Sequence, residues 1–113
     1  MKHYMNLVPS AFDKIEAGTK TIELRLNDEK RQLINEGDEI VFENTVFHEK
    51  HIKVKVIALH HFPSFAELYK SLPLTKCGYA EGEAAHSDDM LAYYPREREL
   101  CYGALGIEIE LMK

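Results

Sequence analysis

The residues best suited to chemistry are Lys20, Thr21, Glu23 and Arg25, in the run Gly18-Thr19-Lys20-Thr21-Ile22-Glu23-Leu24-Arg25-Leu26. Alternate side chains of an extended strand share a face. Thr21, Glu23 and Arg25 therefore align a hydroxyl, a carboxylate and a guanidinium, each about 7 Å from the next. Lys20 offers a phosphate contact, or a catalytic amine whose pKa is lowered by burial. Glu23 offers a general base, or a counter-ion that holds Lys20 and Arg25 in place. Arg25 offers a bidentate grip on phosphate, or a plane that stacks on a base. The same row also reads as a solvated strand face whose ion pairs contribute under about 1 kcal/mol each. The pattern alone leaves both readings open.

Other reactive groups are scattered. Glu81 and Glu83 lie in a glycine-containing stretch, and Tyr79 just before them offers a stacking surface. Tyr69, Tyr93, Tyr94 and Phe65 have spacings more typical of a core. Lys30, Arg31, Lys53 and Lys55 read as solvated charge. Of the six histidines, His48 and His51 fall in a loop, and His60 and His61 point to opposite strand faces. Neither pair has the i, i+4 helical spacing of a zinc protease, so no metal or other cofactor is expected. Cys77 and Cys101 lack the spacing of a ligand pair and read as reduced thiols of a cytoplasmic protein.

The elements that must position these groups follow from periodicity and punctuation. Residues 3–8 read as a strand. Pro9 and Ser10 open a short helix, with Ser10 as its cap and Phe12 and Ile15 on its inner face. Gly18 closes that helix in a left-handed conformation. The 20–26 strand leads into a charged connector from which Leu33 and Ile34 tuck inward. Gly37-Asp38 turns the chain into a strand over 39–43. A loop over 44–51 joins it to a long strand over 52–61, whose second half is expected to be buried on both faces. Ser64 and Glu67 form a capping box for a helix carrying Phe65, Leu68, Tyr69 and Leu72, which Pro73 stops. Residues 74–86 are irregular and lie where they could cover a cleft. Ser87 caps a further helix as far as Tyr94. Residues 96–100 are a charged segment, and 103–111 form the last strand, with Leu105, Ile107, Ile109 and Leu111 inward.

With 113 residues, 45% of them hydrophobic, the chain suits a single domain over 1–113 with one core. No window approaches the roughly 18 apolar residues of a membrane span. The formal net charge of −5 excludes bulk attraction to a long polyanion, so any nucleic-acid contact needs a local patch or pocket. Short strands in so small a chain avoid open edges by curling into a barrel. The fold class expected is α+β, mainly β: a small antiparallel barrel decorated by short helices. An open sheet with helices on one face is the alternative.

The pattern Phe12-x-x-Ile15-x-x-Gly18-x-Lys20-Thr21-x-Glu23-x-Arg25, with Gly37-Asp38 opening the next strand, resembles the ASCH domain family. The resemblance runs through the 52–60 strand, the helix after Phe62 and the final strand. It implies a PUA-like barrel with a cleft beside the helix-to-strand junction. It also implies binding of RNA or of a modified nucleoside or nucleotide, with Lys20, Glu23, Arg25 and Tyr79 at the cleft. One bacterial branch of the family hydrolyses the acetyl amide of N4-acetylcytidine, and some members are reported to cleave RNA. On that branch's pattern, Lys20 matches the lysine and Thr21 the hydroxyl after it, and Glu81 or Glu83 matches a glutamate. The nucleophilic threonine's position is Glu23 in this chain. A carboxylate cannot take over a lysine-activated hydroxyl's role in the same acyl transfer without a change of mechanism. Binding is therefore the first expectation. A small hydrolase using Lys20 and a carboxylate is the second, and an adaptor for a protein partner the third.

Overall fold

The computed structural model describes residues 1–112. Strand β1 (Lys2–Leu7) leads into helix α1 (Pro9–Glu16), and strand β2 (Ile22–Leu26) follows. Strands β3 (Glu39–Asn44) and β4 (His51–Phe62) form a hairpin, and helix α2 (Phe65–Ser71) comes next. Two 3-10 segments, Leu74–Cys77 and Ser87–Ala92, precede helix α3 (Arg96–Tyr102) and strand β5 (Ala104–Leu111).

The strands form one curled half-barrel in the order β1-β3-β4-β5-β2. This is the expected PUA-like α+β architecture. Three pairings are antiparallel, but β1 runs parallel to β3, with Met5 opposite Phe42. A parallel pair needs a long crossover, which α1 and β2 supply between these strands. The sheet therefore has two edges, β1 and β2. Arg25 on β2 spans the gap between them, donating from Nη2 to the carbonyl oxygen of Asn6 on β1 at 2.6 Å.

Two apolar clusters fill the fold. One joins Met5, Phe12, Ile15, Phe42, Val54 and Ile107 inside the curl. The other packs Leu24, Leu26, Phe65, Leu68, Cys77 and Met90 between β2, α2 and the 3-10 segments. Strand β2 is thus sandwiched, and Glu23 is as buried as its apolar neighbours.

Several local expectations are corrected. α1 begins at Pro9 after Val8, with no side-chain cap from Ser10; proline's fixed φ suits the first helical position. Gly18 does take a positive φ of 81°. Leu33 stays in solvent while Ile34 is buried. Ile57 is exposed, because the strand shifts register between Val56 and Ala58 and turns it outward. Leu111, at the strand's end, is also largely exposed. Ser64 caps α2 by accepting from the Glu67 amide, but the Glu67 carboxylate turns to Lys70 and leaves the box half made. The segment after Ser87 is 3-10, not α, and its cap is His86, boxed with Asp89. The charged segment from Arg96 is helix α3.

Candidate functional site

Lys20, Glu23 and Arg25 form one continuous ion-pair chain. Lys20 Nζ lies 2.8 Å from one oxygen of Glu23, and Arg25 Nε lies 2.7 Å from the other. All three side chains are largely withdrawn from solvent, with Glu23 only 5% exposed. Burial alone would raise the Glu23 pKa, but Arg25 and Lys20 outweigh it and hold the carboxyl below its ordinary range. Burial likewise works against the Arg25 cation, yet Glu23, assisted by Tyr94, pushes its pKa further up. Both ionised forms are locked in by their partners.

This chain forms part of the wall of a cavity of about 360 Å³. Tyr69, Tyr79, Tyr93 and Tyr94 also line it, with Met90 among them, and Tyr94 lies beside Arg25. Ser10, Ala11 and Lys14 of α1 complete one rim, because the helix turns Phe12 and Ile15 the other way into the core. Lys14 Nζ donates to the Gly78 carbonyl at 2.7 Å and ties the irregular segment to α1. Gly78 has a φ of 110°, and a Cβ built on it would come within 3.3 Å of Lys20 Cδ. The chain can cross this close over Lys20 because no side chain stands there.

The tyrosines are linked. Tyr69 and Tyr79 meet edge to face at 5.9 Å, and their hydroxyls lie 2.7 Å apart. Tyr79 donates to Asp89 Oδ2 at 2.7 Å. Burial, with Tyr69 and Asp89 adding to it, pushes the Tyr79 pKa far up. Tyr79 therefore stays a neutral donor. The hydrogen bond from Tyr79 and the amide of His86 hold the Asp89 carboxyl below its ordinary range. Cys77 also lines the cavity, and burial pushes its thiol up to about 11, against the pull of Lys20. At neutral pH it is a poor nucleophile.

The expected site residues divide. Lys20, Glu23, Arg25, Tyr79 and Glu83 all line the cavity. The Glu83 Oε1 atom accepts the Ala80 amide at 2.7 Å. Glu81 is exposed and does not line the cavity. Thr21 lines instead a separate depression with Ile57, Glu108 and Leu111, its backbone held by the Lys76 carbonyl and the Ile109 amide, each at 2.9 Å. Lys30 is exposed, and Arg31 turns to Asp28. His48 and His51 are engaged with the Glu43 carboxylate and His60 with that of Glu108, while His61 is exposed. Among the described residues no group of three potential ligands converges on a metal position. Both cysteines are free.

Sequence reasoning missed Lys14, Asp89 and Met90 as cavity residues. Lys14 carried a usable signal: with Ser10 it stands i, i+4 on the face of α1 opposite Phe12 and Ile15. Asp89 and Met90 had none, because their placement depends on how an irregular segment folds back.

The ASCH domain family model matches residues 5–113. The chain belongs to the ASCH domain family. A hypothetical protein, PH0355, of known crystal structure, is 34% identical to this ASCH domain. It has a TM-score of 0.83 over 99% of this chain and 100% of its own. The protein PF0455 from Pyrococcus furiosus, solved by NMR in solution, is 31% identical. Its TM-score is 0.77 over 100% of this chain and 99% of its own. The crystal structure of ASCH from Zymomonas mobilis is 15% identical, with a TM-score of 0.63 over 97% of this chain and 66% of its own. That last likeness speaks for the ASCH fold alone. No curated protein matches the chain. Among the described residues, no helix of this ASCH domain is long and apolar enough to cross a membrane.

Proposed function

We propose that this ASCH domain binds a nucleoside unit, free or within a single-stranded RNA, in the cavity beside β2. The observation that carries the reading is that the buried Lys20–Glu23–Arg25 chain and four tyrosines line one cavity of about 360 Å³. That volume falls at the small end of the roughly 300–1,000 Å³ typical of small-molecule sites. Aromatic faces stack bases of any sequence, at about 1–3 kcal/mol per base. Lys20 and Arg25 keep N–H groups beyond those given to Glu23 and Asn6, and these are free to meet carbonyl or phosphate oxygens.

The arrangement favours binding over acyl transfer. Both Glu23 oxygens are engaged by cations, Thr21 lies outside the cavity, and the Cys77 thiol is held neutral. Neither Thr21 nor Cys77 therefore offers an activated nucleophile to the space where a substrate would sit.

The test is isothermal titration of the protein with nucleosides and with short single-stranded RNA, for the wild type and for Arg25→Lys. The variant keeps the charge and loses the planar fork. Saturable binding that weakens about tenfold or more in Arg25→Lys is the expected result. N4-Acetylcytidine incubated with the protein should yield neither cytidine nor acetate. Turnover of that compound, or no binding of any nucleoside or RNA, would overturn the reading.

A further inference from the structure

The cavity is polarised. β2 contributes its cationic wall through Lys20 and Arg25, whose carboxylate partner Glu23 meets a cation on each oxygen. The 3-10 segment after Ser87 contributes an acidic wall. Asp89 takes the Tyr79 hydroxyl at 2.7 Å and the His86 amide at 3.3 Å, both on Oδ2. Its other oxygen, Oδ1, accepts from no described residue, and Asp89 lines the cavity. Its backbone is fixed as well, because Asp89 closes the capping box with His86. The acceptor is therefore pre-oriented, with one lone-pair set used to hold it and the other open. Preorganisation of this kind is what lets a polar group discriminate between ligands.

We infer that Asp89 is a specificity-determining residue, and that the cavity selects nucleobases carrying an exocyclic amino group over those with a carbonyl in its place. The inference rests on the nucleoside-binding reading above and deepens it. A free carboxylate oxygen accepts an amino N–H and repels a carbonyl oxygen. The pairing of Asp or Glu with the amino group of cytosine follows from the same chemistry. The ligand's ring carbonyl or ring nitrogen acceptors then face Lys20 and Arg25 across the cavity. Glu83, which also lines the cavity, uses Oε1 for the Ala80 amide and adds negative potential against a carbonyl. Glu23 is a poorer acceptor for this purpose, because each of its oxygens already meets a cation within 2.8 Å and its side chain is only 5% exposed.

Two ligand pairs differ at the decisive group while keeping ring size: cytidine against uridine, and adenosine against inosine. Titrating all four into the wild type should show the amino member of each binding pair preferred by about tenfold or more. A site that hydrogen-bonds a substrate N–H rejects the analogue lacking it by at least this much. In Asp89→Asn, which can turn an amide N–H toward a carbonyl, the preference should fall below about twofold or invert. Equal or reversed affinities in the wild type would overturn the inference without any variant. So would a preference that Asp89→Asn leaves intact. Tyr79→Phe, which keeps the carboxylate and removes its tether, should narrow the preference while leaving its direction unchanged. Binding of none of the four nucleosides by the wild type would bring down the nucleoside reading itself. Binding without discrimination would remove only the role of Asp89.

Discussion

At the scale of single residues, Glu23 decides most. It is 4% exposed and joins two cations that would otherwise face each other inside the fold. Removing one member of a buried charge network leaves the others uncompensated, at a cost of about 3–5 kcal/mol. Glu23→Gln should therefore lower unfolding free energy by about that amount in urea titration, even though the shape is nearly unchanged. Acid should act in the same direction. Glu23 and Asp38 both have folded pKa values below their ordinary values of 4.5 and 3.8, and Asp38 is held at about 2. For Glu23, burial opposes the shift and Arg25 and Lys20 drive it; for Asp38, the drivers are the His3 ring and the Asn35 amide. The unfolded chain binds more protons than the folded one in this range, so stability rises with pH. Their stabilisation is complete above about pH 4.5 and is lost as pH falls toward 2. Melting temperatures measured from pH 7 down to pH 2 should be flat and then drop. Asp38→Asn should start lower at pH 7 and fall less steeply below pH 4. The sequence made the proximity of Glu23 and Arg25 readable, because a strand places alternate residues together. Alternation put Thr21 in the same row, yet it is Lys20, out of phase and three residues before Glu23, that completes the ion-pair chain. The sequence did not make the burial of this chain readable. Ile22, Leu24 and Leu26 already account for one buried face, and only the folded chain shows that Glu23 on the other is enclosed as well, between Lys20, Arg25 and the rest of the cavity lining.

At the scale of elements, the instructive case is α3. Its sequence, Arg96-Glu97-Arg98-Glu99-Leu100-Cys101-Tyr102, shows no apolar stripe, and Leu100 is exposed. What docks it is a charged residue: Glu99 is buried, and its Oε2 accepts the amide of Phe65 at the first turn of α2 at 3.0 Å. The carboxylate satisfies a helix-end donor that has no partner within its own helix. Tyr102 adds a hydrogen bond to Glu29 at 2.5 Å and takes Arg98 over its ring. A helix held by polar contacts is invisible to a search for hydrophobic period, which explains why it reads as a charged segment. By contrast α2, with Phe65 and Leu68 buried and Ser64 as its cap, was legible in all but the Glu67 half of its capping box. Glu99→Ala should cost about 1–3 kcal/mol, the penalty of leaving a buried amide unpaired. Glu97→Ala, on the same helix but in solvent, should fall within about 0.5 kcal/mol of wild type. Equal effects of the two substitutions in equilibrium unfolding would mean that the Phe65 amide finds another partner.

At the scale of the whole molecule, charge and topology bear on how nucleic acid would be held. The curl leaves β1 and β2 as edges, and the gap between them, spanned by Arg25, opens onto the cavity. A barrel was legible because short alternating strands in a small chain must hide their edges. The parallel β1–β3 pair was not, because register between strands far apart in sequence leaves no local trace. The chain carries a net charge of −5, and the cavity's three cations, Lys14, Lys20 and Arg25, stand against Glu23, Glu83 and Asp89. Little positive potential remains to attract a phosphate backbone. Each phosphate neutralised on a single strand contributes about −0.7 to the slope of log K against log salt. Short RNA should therefore bind with a slope between about −0.7 and −1.4, equivalent to one or two phosphate contacts, measured by fluorescence anisotropy over a salt series. A slope of about −3 or steeper would require a different surface. The exposed Lys53 and Lys55, which share one face of β4, are the pair that could supply it. Lys53→Glu with Lys55→Glu should leave the slope unchanged if the base is held in the cavity, and should flatten it if the strand runs along β4. The shallow slope follows from the same feature that makes the cavity selective: two of its three cations, Lys20 and Arg25, are already paired with Glu23 inside the fold, so what remains for a ligand is chiefly hydrogen bonding and stacking.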